Sequence, residues 1–153
     1  MALVEFKDLP DTSTPINAEN LNNNFNELNN DFNNLNNLQY KTVNGVDINV
    51  SSGTATQLNS ITLGKGFWII IGMFSFSSNT SGARRCNFST QSASTDMNFN
   101  VAPALASATR IRNIDFFNLS GDTTIYANVL QNSGSNLTCY CQMKAVKLAD
   151  YQS

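Results

Sequence analysis

Residues 66–76, GFWIIIGMFSF, decide the fold. The run has no proline and no charge, is rich in β-branched and aromatic side chains, and is followed by a serine- and asparagine-rich turn signal, which reads as a strand. Phe67, Ile69, Ile71 and Met73 alternate along it with Trp68, Ile70, Phe74 and Phe76, so both faces are apolar. An antiparallel strand normally keeps one face in water. The second face, assigned to the side of Trp68 and Ile70, therefore calls for a neighbouring protomer or an extra layer; the alternative is a strand capped by its own loops.

Outward from this strand the chain continues as short β segments broken by turns. RRCNFSTQ (84–91), MNFNVA (97–102), TRIRNIDFFNL (109–119), TTIYANVLQ (123–131) and NLTCYCQMKAVKLA (136–149) follow it, and the weaker VDINV (46–50) and QLNSITL (57–63) precede it. Turn residues cluster at 78–82, 120–122 and 132–135. This spacing predicts an antiparallel sandwich or jelly roll. The last strand repeats the two-faced pattern, placing it beside 66–76 in an inner sheet. The apolar phase slips between Ile111 and Ile114, which predicts a bulge near Asn113. Asn44-Gly45 inside TVNGVDINV predicts a hairpin.

Upstream, NAENLNNNFNELNNDFNNLNNLQ (17–39) carries Leu21, Phe25, Leu28, Phe32 and Leu35 at alternating spacings of four and three. These are heptad seam positions on a helix about 34 Å long. Twelve asparagines between Asn17 and Asn37 lower helix propensity by about 8 kcal/mol, and burying each seam residue returns only ~1.5–3 kcal/mol. Such a helix holds only when other helices cover the seam. A disordered polar tract is the alternative. The flanking heptad positions are nearly all asparagine, so no charge code selects a foreign partner, and a parallel homo-oligomer is expected. Thr14-Pro15 supplies the N-cap and first-turn proline. The organisation is thus a segment at 1–14, a coiled-coil stalk at 15–39 and a β head at 41–153.

Charged residues make up 13% of the chain and the net charge is -2, which offers no basic stripe for nucleic acid. No apolar run approaches a membrane span, and MALVEFKDLP lacks the order of a secretory signal, so neither membrane insertion nor export is expected. Cys86, Cys139 and Cys141 read as buried thiols. There is no histidine, which removes Ser-His and Cys-His nucleophiles and leaves no metal-ligand pattern; no cofactor and no enzymatic activity are expected. Asp96, Asp115 and Asp122 read as solvated acids rather than a glycosidase pair.

Arg84, Arg85, Arg110 and Arg112 concentrate the head's charge. Pairing with Asp96 or Asp115 across strands is the ordinary reading, and binding an anionic wall polymer is the sharper one. Tyr126 and Tyr140 are candidate stacking surfaces for sugars, though strand aromatics usually belong to a core. Loops around Asn79, Thr95 and Asn132 are candidates for glycan contact. The candidate receptor-binding set is therefore Asn79, Arg84, Arg85, Thr95 and Asn132, and the candidate oligomerisation set is Leu21, Phe25, Leu28, Phe32, Leu35, Trp68 and Ile70.

The runs GKGFWIIIGMFSFSSNTSGARR, LSGDTTIYANVLQNSGSNL and MKAVKL together resemble the trimeric jelly-roll heads of tumour necrosis factor, complement globular heads and phage tail-fibre tips, over about residues 54–149. Separately, STPINAENLNNNFNEL resembles a segment frequent in phage tail and baseplate proteins. The resemblance implies a homotrimeric virion fibre, assembled in a host cytoplasm. It would dock through residues 1–14 on other tail, baseplate or capsid proteins and adhere through its head to a host-surface saccharide. A head-fibre or decoration protein with no receptor is the alternative.

Overall fold

The computed structural model describes residues 22–30, 39–94 and 99–151, and the chain divides into two compact units, Met1–Leu38 and Gln39–Ser153. In the first, residues 22–30 form helix α1. The seam residues Phe25 and Leu28 are 65% and 48% exposed on it. Leu21, Phe32 and Leu35, with the 1–14 segment and most of the predicted stalk, lie outside the described residues.

The second unit is a sandwich of two antiparallel sheets. Its strands are β1 (Tyr40–Val43), β2 (Ile48–Val50), β3 (Thr56–Leu63), β4 (Gly66–Phe76), β5 (Asn79–Ser89), β6 (Asn100–Leu105), β7 (Thr109–Leu119), β8 (Thr123–Gln131) and β9 (Leu137–Ala149). One sheet runs β1-β9-β4-β7, with β2 also on β9; the other runs β3-β8-β5-β6. From β3 onward every connection but β5–β6 and the direct run of each strand crosses between the sheets, a jelly-roll-like winding that places sequence neighbours on opposite layers. β4 pairs with β9, as their shared two-faced pattern predicts.

The core lies between the layers. Trp68, Ile70, Phe74 and Phe76 of β4, with Cys139, Cys141, Met143 and Ala145 of β9, face Leu58, Ile61, Leu63, Phe88, Ile125 and Val129 from the other sheet, all buried. Phe74 meets Phe88 across the layers at 5.6 Å between ring centroids, and the Trp68 indole N–H donates to the Gly64 carbonyl at 2.9 Å. This corrects the expected interface: Trp68 and Ile70 are spent on the chain's own core, so they are not protomer contacts. The outward face of β4 is the opposite one, Phe67, Ile69, Ile71 and Met73. Alternation fixes that the two sets are opposed, but it does not say which set meets the second sheet.

Three local expectations also change. Register runs unbroken from Gly66↔Leu119 to Phe76↔Thr109, so β7 has no bulge at Asn113. Asn113 simply points inward, where its side-chain oxygen accepts from the Asn100 amide, and the phase slip is a change in polarity along the outer face. Register shifts instead in β3 between Gln57 and Asn59, which lets Leu58 and Ile61 both turn inward, and also between Phe67 and Trp68 and between Asn79 and Ala83. Finally, Asn44-Gly45 does not make a hairpin. β1 and β2 lie end to end along β9, and the link packs so closely that a Cβ on Gly45 would overlap the Cys141 carbonyl. Asn59 of β3 reaches across to that same carbonyl, donating at 2.9 Å.

Candidate functional site

Two regions of the sandwich carry chemistry-bearing side chains. The first is the end opposite the start of β1, where the β2–β3, β4–β5, β6–β7 and β8–β9 turns gather. Asn79 and Asn132 come together here, as the sequence suggests. The Asn79 side-chain amide donates to Ser135 Oγ at 3.1 Å while its oxygen accepts from the Ser81 amide at 2.8 Å. The Asn132 backbone N–H donates to the Ala83 carbonyl at 3.3 Å.

Arg84 holds this end together from beneath. It falls on the inward phase of β5 with Cys86 and Phe88 and is wholly buried. Its guanidinium donates to the carbonyls of Ser81 and Asn79, each at 2.9 Å, and of Ala83 at 3.3 Å. Arg84 is therefore a clamp on the first residues of β5, not a receptor contact. Gly82, at φ +75°, leaves no room for a Cβ against the Asn132 carbonyl, which presses the two loops together. Gln131 does the same for the β8–β9 turn. Its amide donates to Val50 O at 3.1 Å and Ser135 O at 2.8 Å, and its oxygen accepts from Ser133 N at 2.8 Å. Gln131 was not foreseen, although it continues the inward phase of Ile125, Ala127 and Val129 and so had to be buried. The loop end is thus a web whose polar groups are largely satisfied by one another. Arg85 lies elsewhere, half-buried on the outer face of the second sheet, and Thr95 lies outside the described residues.

The second region is the outer face of the β1-β9-β4-β7 sheet. Its residues fall into rows across the strands. Tyr40, Val146, Ile69 and Phe116 share one row, and Thr42, Lys144, Ile71 and Ile114 the next. Gln142, Met73 and Arg112 follow, then Tyr140, Ser75 and Arg110. Ile71 is 41%, Met73 37%, Ile114 56% and Phe116 55% exposed, and Phe67 stacks on Phe116 at 5.9 Å. The face is apolar toward the start of β1 and cationic toward the loop end. None of its strand residues is acidic. Asp115 is on the inward phase of β7 and accepts from the Phe116 amide at 2.8 Å, so it does not pair with Arg110 or Arg112. Among the described residues the ion pair shown is Lys147–Asp150 at 2.8 Å, and no cluster of three or more His, Cys, Asp or Glu comes together.

Cys86, Cys139 and Cys141 are free and buried. Burial pushes Cys86 and Cys139 up to about 12, Arg84 opposing the shift at Cys139, and raises Cys141 further with Cys86 adding to it.

No protein-family model matches the chain, and no curated protein matches it in sequence. Among solved structures it is similar to the VP2 subviral particle of infectious bursal disease virus, at 11% identity and TM-score 0.51, over 72% of this chain and 32% of that one. A structure of the T13 particle of the same virus matches at 14% identity and TM-score 0.47, over 72% and 31%. A Bacillus endospore appendage, described as forming disulfide-linked pili, matches at 16% identity and TM-score 0.40, over 72% and 92%. The chain thus spans about a third of the length of the VP2 chains it resembles, and the likeness to the VP2 subviral particle agrees with a jelly-roll-like β-sandwich.

Proposed function

We propose that this chain is a structural subunit that assembles with copies of itself, a homotrimeric virion fibre whose head adheres without bond cleavage to a host-surface glycan or wall polymer. The observation that carries the reading is the outer face of the β1-β9-β4-β7 sheet. A sandwich needs one inside, yet β4 is apolar on both sides, and its outward Ile71 lies exposed beside Ile114 and Phe116 of β7. Contiguous apolar surface of this kind marks interaction sites. Phe25 and Leu28, exposed on α1 at seam spacing, support the same conclusion from a different part of the sequence. Three copies on one particle-borne fibre would multiply weak saccharide contacts by avidity.

The test is sedimentation equilibrium of the full chain at micromolar concentration, joined to adsorption of the protein to host envelopes. A trimer that adsorbs is the expected result, and a folded monomer overturns the reading. A decoration or connecting subunit without a receptor is the second reading. The loop end favours it, because Asn79, Arg84 and Gln131 spend their hydrogen bonds on neighbouring backbone and side-chain groups. A trimer that adsorbs to no envelope selects it.

A further inference from the structure

We propose that the adhesive surface of the head is the cationic part of the outer sheet face, Arg110, Arg112 and Lys144 with Tyr140, and that its ligand is a phosphate-bearing polysaccharide or polyol chain. This rests on the adhesion reading above and gives it a place and a chemistry.

Arg110 and Arg112 alternate with buried Thr109, Ile111 and Asn113, so both guanidinium groups stand on the same face, about 7 Å apart along the strand. Met73↔Arg112, Met73↔Gln142 and Ile71↔Lys144 are paired positions. Lys144 therefore lies on the strand beyond β4, about 10 Å across the sheet from β7. Most other cations of the head are engaged. Lys41 donates to the Thr62 carbonyl, Arg84 to three carbonyls, Lys147 to Asp150, and Lys65 lies over the Tyr151 ring. The outer face thus concentrates three cations with no strand carboxylate beside them.

Protection of an exposed sheet edge is the ordinary use of such charge, and it accounts for arginines on β7, which is an edge strand. It does not account for Lys144. β9 is paired on both sides, so Lys144 guards no edge. Guanidinium forks match phosphate oxygens in pairs, whereas a lysine acts as a point charge. Met73 lies between Lys144 and Arg110, and Tyr140 stands in the Arg110 row across Ser75, apolar surface for the carbon skeleton between phosphates. Nucleic acid is the less favoured phosphate polymer. Tyr140 is the lone aromatic in the three rows that hold these cations, whereas single-strand binders stack successive bases on several.

The experiment measures binding of the full-length protein to soluble poly(glycerol phosphate), to neutral dextran and to an oligothymidylate, at ~0.05 and ~0.5 M salt, where screening differs several-fold. The proposal expects poly(glycerol phosphate) to bind best, weakening steeply with salt. Arg110→Gln with Arg112→Gln is expected to reduce its affinity at least about tenfold, and Lys144→Gln by less, with near-UV dichroism and sedimentation unchanged. The lysine pair Arg110→Lys with Arg112→Lys is expected to recover only part of the loss. Unchanged binding in both glutamine variants, or oligothymidylate bound as tightly as poly(glycerol phosphate), overturns the proposal. Dextran or host envelope retained equally by wild type and variants removes this site and leaves adhesion standing. Retention of no probe and no envelope removes both.

Discussion

Arg84 sits where an arginine has no ordinary business, in phase with Cys86 and Phe88 and fully inside. What makes it tolerable is the set of carbonyls at Asn79, Ser81 and Ala83 that its guanidinium satisfies. Replacing it with methionine keeps the volume and strands those acceptors, so Arg84→Met is expected to cost about 2–4 kcal/mol in urea unfolding, against under ~1 kcal/mol for Arg85→Met. The thiols give a second prediction at this scale. Burial holds Cys86 and Cys139 near 12, from an ordinary 9.0. The folded chain therefore keeps protons that the unfolded chain releases. Their stabilisation is complete below about pH 8.5 and is lost progressively as pH rises toward 12. The urea midpoint should fall between pH 8 and pH 10.5, and Cys86→Ala should start lower but fall less steeply. Arg84 and the thiols are half legible: inward phase can be read from the alternation of their strands, whereas the carbonyls at Asn79, Ser81 and Ala83 reach Arg84 only through the way the start of β5 folds back, and the layer that covers the thiols comes from the other sheet.

Among the elements, β4 explains what alternation can and cannot reveal. Its bounds, Gly66–Phe76, and those of β7 and β8 follow directly from the apolar runs and their turns. Its inside does not, because Trp68/Ile70 and Ile69/Ile71 are equally apolar and only the second sheet chooses between them. The shape of the chosen face does leave a mark. Gly72 is on it, and a Cβ there would come within 2.5 Å of the Phe88 ring, which crosses from β5 to fill the space. Gly72→Ala is thus expected to destabilise the head by about 1–3 kcal/mol, from overpacking. Ile70→Ala should cost about 2–5 kcal/mol by leaving a cavity, whereas Ile71→Ser, on the outer face, should change unfolding of the dissociated chain by less than ~1 kcal/mol. If instead Ile71→Ser is the costlier of the two, the assignment of inner and outer faces is wrong. The link between β1 and β2 shows the complementary failure. Asn-Gly is a local hairpin signal, but both segments find better partners in β9, whose length spans them end to end.

At the scale of the whole molecule the same apolar side chains recur in two units that the sequence separates cleanly at the change from heptad to alternating pattern. Residues 1–38 carry a net charge of -5 and residues 39–153 of +3. What the sequence left open was which face of β4 turns outward; Ile71, Ile114 and Phe116 are exposed on that outer face, as Phe25 and Leu28 are on the helix. If both surfaces hold copies together, each should contribute separately. Phe25→Ser with Leu28→Ser removes two seam residues worth ~1.5–3 kcal/mol apiece when buried, and Ile71→Glu with Phe116→Glu places carboxylates where desolvation costs at least several kcal/mol. In sedimentation equilibrium, dissociation of the proposed trimer is therefore expected at an at least about tenfold higher concentration in either double variant, and monomer alone when the two are combined. Because Ile71 and Phe116 lie outside the core, far-ultraviolet dichroism should keep its β signature throughout. A sheet-face variant that stays as trimeric as the wild type, while the seam variant dissociates, would confine assembly to the helix and leave the apolar rows for another occupant.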